Sequence, residues 1–208
     1  MIIAIDGTTA SGKGTLAKRL AAKYALPHLD TGLLYRGVGM MALRAGVDPT
    51  DAEACAKLAR ELDLSAFAEA ELRTAEAGDA ASKVAALGPV RQALLEMQRA
   101  FAHREGGAIL DGRDIGTVIA PDADVKFWVD AKVEERARRR MLELQAAGEQ
   151  VTLEDIIARV EERDARDSGR ADAPALAAGD AVKLDTSELG VEAMVEAAAA
   201  AIAQRMPG

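Results

Sequence analysis

The sequence predicts an α/β fold, a parallel five-stranded sheet with helices on both faces. Two observations carry that prediction. Short apolar runs alternate along the chain with helix-period segments, which is the pattern of successive strand–helix–strand units. Three of those runs end in an acid beside a small residue: Asp6-Gly7, Asp111-Gly112 and Asp185-Thr186. In open parallel sheets the ligand sits at the carboxyl ends of the strands, so these pairs mark one edge as functional. The 208 residues are enough for one such domain, 1–208, with a sizeable core.

Taken in order, Ile2 to Asp6 reads as a buried strand, and Lys13 to Tyr24 as a helix whose apolar face holds Leu16, Leu20 and Ala21. Leu29-Asp30 begins a second short element. Thr31 can cap a helix carrying Leu34, Val38, Met41 and Leu43, which Gly46 and Pro49 end. A helix from about Asp51 to Leu62 turns Leu58 and Leu62 inward. Ser65 to Asp79 is small, acidic and weakly periodic, and reads as a poorly defined connection. Lys83 to Arg104 is helical and broken at Gly88-Pro89, with Pro89 in the first turn of the second piece.

Ala108 to Asp111 and Val125 to Val129 are further buried strands. A helix from about Val133 to Gln145 groups Val133, Ala137, Met141 and Leu144, and Gly148 stops it. Thr152 and Asp155 make a capping-box-like start for the next helix, with Leu153, Ile156 and Val160 inward. Ala181 to Asp185 is the last strand and Val191 to Gln204 the last helix.

Between the first strand and first helix stands Gly7-Thr8-Thr9-Ala10-Ser11-Gly12-Lys13-Gly14-Thr15. Strand, glycine-bounded loop, Lys and helix is the context of a P-loop. Its backbone N–H groups form a nest for phosphate oxygens, and the helix N-terminus adds partial positive charge. Lys13 supplies a full charge toward the outer phosphates, and the Thr15 hydroxyl can hold Mg²⁺. The bland alternative, a glycine-rich turn with an exposed Lys, does not account for the flanking strand and helix. Gly14 separates Lys13 from Thr15, and Gly-Lys-Gly-Thr resembles the loop of nucleoside monophosphate kinases.

Composition limits the alternatives. Net charge is −8, against a general nucleic-acid binder, which needs a broad basic face. Aromatics are 3%, so the core is aliphatic. Cys55 is the single cysteine, so no intramolecular disulfide can form, and a reducing cytoplasm is the simplest compartment. Met1 leads straight into the first strand, so no signal peptide is expected, and no apolar run has membrane-spanning length.

Asp111-Gly112-Arg113-Asp114 closes a strand. An acid there can hold Mg²⁺ through water beside Thr15, and Arg113 can reach phosphate bidentately. Alone, the tetrad reads equally as a polar turn with an internal ion pair. Arg159, Arg163, Arg166 and Arg170 share one helical face if the helix persists to Arg170. Asp155, Glu162 and Asp167 lie within pairing distance, so a solvated helix laced with ion pairs is the simpler reading of that face alone. Arg136, Arg138, Arg139 and Arg140 lie upstream, across the turn at Gly148. A helical hairpin with Arg on both arms could close over a polyphosphate, neutralise charge and exclude water. Asp30-Thr31-Gly32 followed by Tyr35-Arg36 could hold a second phosphate or sugar. Arg36, Ser82 and Arg91 are unremarkable in isolation, and His28 and His103 read as structural, with no metal site.

Together these segments resemble the bacterial cytidylate kinases over nearly the whole chain. The likeness runs through Gly7 to Thr15, Leu29 to Gly32 with Leu34-Tyr35-Arg36, and Ala81 to Ala86 with Val90-Arg91. It continues through Asp111 to Val118, Glu162-Arg163-Asp164, Arg166-Asp167 and Arg170. The resemblance implies a P-loop kinase with a CMP-binding region over 31–104 and a lid over 141–170. It implies Mg²⁺-dependent phosphoryl transfer from ATP to CMP or dCMP by a monomer with small-molecule partners and no nucleic acid or membrane.

By the same resemblance, Thr31 and Asp114 would contact the sugar or base, and Ser82 the cytosine. Arg36, Arg91 and Arg113 would meet the acceptor phosphate or base. Arg163, Asp167 and Arg170 would act from the lid, and Arg139 on the ATP side. Lys13, Arg113, Arg139 and Arg163 would be catalytic, with Mg²⁺ on Thr15 and, through water, Asp111. Two departures stand out: Thr8-Thr9-Ala10 replaces the Pro and Gly often found in the family's loop, and 64–76 is too short for its small β-rich insert. Adenylate kinases usually carry Phe-Pro after the strand-end Asp-Gly, where this chain has Arg113-Asp114. The chain contains no Asn, so the guanine-reading Asn-Lys-x-Asp motif of GTPases is absent.

Overall fold

β1 (Ile2–Gly7) is the central strand of a five-stranded sheet in the order β2-β3-β1-β4-β5, seen in a computed structural model that describes residues 1–206. Pro207 and Gly208, the end of the expected 1–208 domain, lie outside the described residues. The other strands are β2 (His28–Asp30), β3 (Ala108–Gly112), β4 (Val125–Asp130) and β5 (Val182–Asp185), and every pairing is parallel. The register sets Asp6 beside Gly112 and Asp30 beside Asp111, so the strand-end acids gather on one edge, as the alternation predicts.

Both faces are covered. Ile3, Ile5, Ile109, Val125, Phe127 and Val129 pack against α1 (Lys13–Tyr24) and α9 (Val191–Arg205) through Leu16, Leu20, Met194 and Ile202. On the other face Ala4 and Leu110 meet Ala102 at the end of α6 (Gly88–Ala102) and the turn Ile115–Ile119. A separate cluster unites α2 (Thr31–Arg44), α3 (Ala52–Arg60), α5 (Ala75–Val84) and α6, and another unites α7 (Val133–Ala146) with α8 (Leu153–Ser168). No helix among the described residues is long and apolar enough to cross a membrane.

The segment 65–79 departs from the expectation of a poorly defined connection. After a 3₁₀ turn at Leu64–Ala66 it forms α4 (Glu69–Leu72) and enters α5. Thr74 caps α5 by accepting the Ala77 N–H at 3.1 Å. The face of α5 against α2 is built from small residues: a Cβ at Gly39 would lie 2.8 Å from the Ala80 Cβ. Close backbone approach, rather than bulky apolar periodicity, buries this helix, which is why its pattern reads weakly. No strand interrupts 61–74, in keeping with the shortened insert.

Two further expectations change. Thr31 does not cap α2; Asp30 holds that position and Thr31 is the first helical residue, its hydroxyl donating to the Asp111 carbonyl at 2.8 Å. α8 ends at Ser168, so Arg170 lies beyond the helix rather than on its face. Thr152 does cap α8, accepting the Asp155 N–H at 3.2 Å.

Candidate active site

The loop between β1 and α1 bends sharply around β4. Gly7 approaches so closely that a Cβ there would lie 1.9 Å from the Val129 carbonyl oxygen. Ala10 (φ 56°) and Gly12 (φ 91°) both adopt the left-handed conformation that turns successive amides inward. Several bonds brace the loop. Thr8 donates its hydroxyl to Asp130 at 2.6 Å, Ser11 donates to the Thr8 carbonyl at 3.0 Å, and Thr9 accepts from Arg136 at 3.3 Å. The Lys13 ammonium folds back onto the Thr8 carbonyl at 3.2 Å, across the mouth of the nest. Desolvation, and secondarily the Arg113 charge, pushes the Lys13 amine down to about 7 despite Asp111 and Asp30.

Two strand-end carboxylates, Asp111 and Asp30, exert their charge on that lysine. Asp111 is buried, with Oδ1 2.7 Å from His28 Nε2 and Oδ2 3.8 Å from the point a Cβ on Gly14 would occupy. Thr15 is exposed two residues after Lys13. Burial and the neighbouring Asp111 raise the Asp30 carboxyl above its ordinary range. Asp6 accepts the Ile115 and Gly116 N–H groups, each at 2.8 Å, and so fixes the turn beyond Asp114. Burial lifts the Asp6 carboxyl to about 7 even against those two bonds.

Across from the loop a cleft of about 430 Å³ opens between α5, α7 and α8. Thr9, Gly78, Ser82, Arg140, Arg159, Arg163 and Arg166 are on its walls. The Ser82 hydroxyl is buried and has no hydrogen-bond partner among the described residues. Arg163 Nε lies 3.8 Å from Asp167, too far for a hydrogen bond, and has no hydrogen-bond partner among the described residues; burial followed by the Arg113 charge lowers the guanidinium to about 9. Arg36 donates to the Leu72 carbonyl at 2.6 Å rather than to an acid, and burial followed by Arg140 lowers it to about 10. Arg140 donates to the Thr74 carbonyl at 3.4 Å, and Arg36 reaches that same oxygen at 3.5 Å. Arg140 also pairs with Glu143 at 3.1 Å, whereas the hydrogen bonds of Arg36 go to carbonyls, and cations crowded together in this way suit an anionic ligand.

Asp167 is the hub of the second arm. Arg113 Nε donates to it at 2.8 Å, and Arg170 pairs with it as well. Burial opposes ionisation, but Arg113, Arg163 and Arg170 outweigh it and hold this carboxyl at about 2. Arg91 pairs with Asp114 in the interior beside the Tyr35 ring. Arg139 lies over the loop, with its guanidinium donating to the Thr186 hydroxyl at 3.1 Å and the Thr186 carbonyl at 2.6 Å.

Thus the structure brings Lys13, Arg113, Arg163, Asp111 and Asp167 into one neighbourhood and lines the cleft with Ser82. Arg91 and Asp114 satisfy each other, and Arg139 spends its donors on Thr186. Arg166, read as one of four on a face, pairs with Glu162, as the ion-pair reading anticipates.

Two residues escape the sequence reading as site elements, Asp130 and His28, and two that it names only within a cluster and a strand-end pair, Arg136 and Thr186, have partners that it does not show. Arg136 is buried and ties Asp164 at 2.6 Å, the Ala131 carbonyl and the loop together. Thr186 donates to the Ser11 carbonyl at 2.7 Å. Asp130 is a strand-end acid like those recognised, and that position was its signal. His28, read as structural and isolated, lies on Asp111; no sequence signal links residues 83 apart.

A family model described as cytidylate kinase matches residues 3–204. A cytidylate kinase of Methylocella silvestris is 58% identical over 198 residues, 95% of this chain and 92% of its own. One of Xanthobacter autotrophicus is 55% identical over 208 residues, the whole of both chains. A solved gluconokinase of Sinorhizobium meliloti 1021, at 12% identity, superposes with a TM-score of 0.50 over 98% of this chain and 91% of that one, a likeness of fold alone.

Proposed function

The chain belongs to the cytidylate kinase family, and on that premise we propose how its own residues carry the reaction. It transfers the γ-phosphoryl group of ATP to CMP or dCMP, giving ADP and CDP or dCDP. The observation that supports the residue assignment best is the cleft facing the phosphate loop, where Arg163 keeps a buried Nε and Ser82 a buried hydroxyl without a hydrogen-bond partner among the described residues.

The amides of 7–15 and Lys13 hold the donor's β- and γ-phosphates, with Arg139 on the donor side. The acceptor sits across the cleft: Ser82 takes the cytosine, Arg36 and Arg91 the acceptor phosphate or base, Thr31 and Asp114 the sugar or base. Arg113 and Arg163 meet the transferring group. Asp167 serves the pentose hydroxyls, and Arg170 acts with it from the lid. The acceptor oxygen is already anionic at neutral pH, so no strong general base is required. Catalysis rests on alignment and on charge placed where it develops. Substrate phosphates would restore full protonation to Lys13 and draw Arg36 and Arg140 from the Leu72 and Thr74 carbonyls.

The oxygen-only set of the Thr15 hydroxyl and, through water, the Asp111 carboxylate fits Mg²⁺, which is bound through few protein groups, waters and phosphates. Bound there, the ion neutralises charge on the β- and γ-phosphates. Residues 141–170 act as a lid that closes over both substrates, and 31–104 form the acceptor side. The enzyme works as a cytoplasmic monomer on small nucleotides.

The test is ADP release from Mg-ATP with CMP, dCMP, UMP, AMP, GMP or shikimate offered singly. Turnover with CMP and dCMP alone is expected. Turnover confined to another acceptor would discard the base contacts, and none with any of them would leave a nucleotide-binding protein.

A further inference from the structure

We propose that His28 is a positioning residue for the metal-facing acid, its ring N–H fixing the Asp111 carboxylate so that one oxygen stays free toward the phosphate loop. This rests on the reading of Asp111 as the acid that holds Mg²⁺ through water. The geometry begins with the strands. β2 and β3 are parallel with His28 beside Ile109 and Asp30 beside Asp111, so the period of two puts His28, Asp30 and Asp111 on the same face. His28 therefore reaches diagonally, two residues along, to the Asp111 Oδ1 at 2.7 Å. An ionised carboxylate only accepts hydrogen bonds, so Nε2 carries the proton.

With Oδ1 so engaged, Oδ2 is left on the side of α1, 3.8 Å from where a Gly14 side chain would begin. The backbone of Asp111 is pinned as well, since its carbonyl accepts the Thr31 hydroxyl at 2.8 Å. Both side chains of the pair are largely shielded, 14% and 4% exposed, so water competes weakly for the bond. Without His28 the carboxylate would be free to rotate about its last bond and to pair both oxygens with Lys13. Outer partners of this kind hold metal-facing groups in one orientation, and their loss weakens metal binding by about tenfold or more.

The experiment measures binding rather than turnover. The dissociation constant of a β,γ-imido ATP analogue is determined by calorimetry with saturating Mg²⁺ and with chelator, and their ratio gives the tightening due to the metal. Wild type, His28→Phe, His28→Gln, Asp111→Asn and the double variant His28→Phe/Asp111→Asn are compared. The expected result is a ratio reduced about tenfold in His28→Phe, largely restored in His28→Gln, whose amide can donate to Oδ1. Asp111→Asn should lose at least as much, and the double variant no more than Asp111→Asn.

A wild-type ratio in His28→Phe with a reduced ratio in Asp111→Asn overturns the positioning role and leaves the Asp111 reading standing. A wild-type ratio in Asp111→Asn overturns that reading and the proposal with it. Losses that add in the double variant, or that glutamine fails to restore, also overturn the role of the hydrogen bond.

Discussion

Arg113 Nε lies 2.8 Å from Asp167 Oδ2, so the turn closing β3 is tied directly to the end of α8. The two residues are 54 apart in sequence, and Asp167 also collects Arg163 and Arg170. One carboxylate thus organises three guanidiniums that would otherwise repel one another.

Asp167→Asn should therefore leave buried positive charge without its counterion. A loss of about 3 kcal/mol in stability is expected, together with a raised KM for CMP and little change in KM for ATP. The pH dependence has a definite sign. The folded carboxyl sits at about 2, below its unfolded value near 3.9, so its contribution is complete above about pH 4 and is lost as pH falls toward 2. Urea midpoints measured from pH 6 downward should fall more steeply below pH 4 in wild type than in Asp167→Asn. Parallel curves would mean the carboxylate is not held down in the folded state.

Ser82 makes the opposite trade. Its hydroxyl is buried without a partner, so Ser82→Ala removes an unsatisfied group and should hold or raise stability by up to about 1 kcal/mol. If the hydroxyl serves the cytosine, KM for CMP should rise about fivefold to tenfold, the equivalent of one hydrogen bond, with KM for ATP unmoved. A variant that loses stability, or one that binds CMP normally, would remove Ser82 from the base site.

Lys13→Ala separates function from folding in the same way. The ammonium is desolvated and unpaired with any acid at hydrogen-bond distance, its one bond going to the Thr8 carbonyl. Melting temperature should stay level or rise, while turnover falls by about a hundredfold to a thousandfold. A folded Lys13→Ala variant with wild-type turnover would sink the assignment of the loop.

What the sequence could reveal of all this follows from the range of each interaction. Gly7 to Thr15 was readable because a P-loop is contiguous, and Thr152 because a cap acts over three residues. α5 was not, because its burial against α2 relies on Gly39 meeting Ala80, and small residues leave no apolar period. Thr31 was read as a cap because hydroxyls often cap, yet its bond runs to Asp111, 80 residues away. His28, Arg136 and Thr186 likewise act on the site through partners that only the parallel sheet brings near. The resemblance supplies Ser82 and Arg163, which local pattern alone leaves ordinary; each keeps a buried polar atom without a hydrogen-bond partner among the described residues, a feature no local pattern announces.

Ala10 carries a cost that the loop's sequence announces. It belongs to Thr8-Thr9-Ala10, the stretch that resembles the family's Pro- and Gly-containing loop without either residue, and its φ of 56° lies in the left-handed region. An alanine there is strained by about 1 kcal/mol relative to a residue without a Cβ. Ala10→Gly relieves that strain, while the added freedom of the unfolded chain takes back part of the gain. The net stabilisation should be about 0.5 kcal/mol, or about 1–2 °C in melting temperature for a chain of this length. Ala10→Val should do the reverse and more strongly, because a β-branched side chain at positive φ is a genuine outlier. Since both changes act on the shape of the phosphate nest, affinity for ATP should follow stability, with affinity for CMP unchanged. Thermal melts and nucleotide titrations of the pair test this. A higher melting temperature for Ala10→Val than for Ala10→Gly would mean that residue 10 does not hold the left-handed conformation in solution.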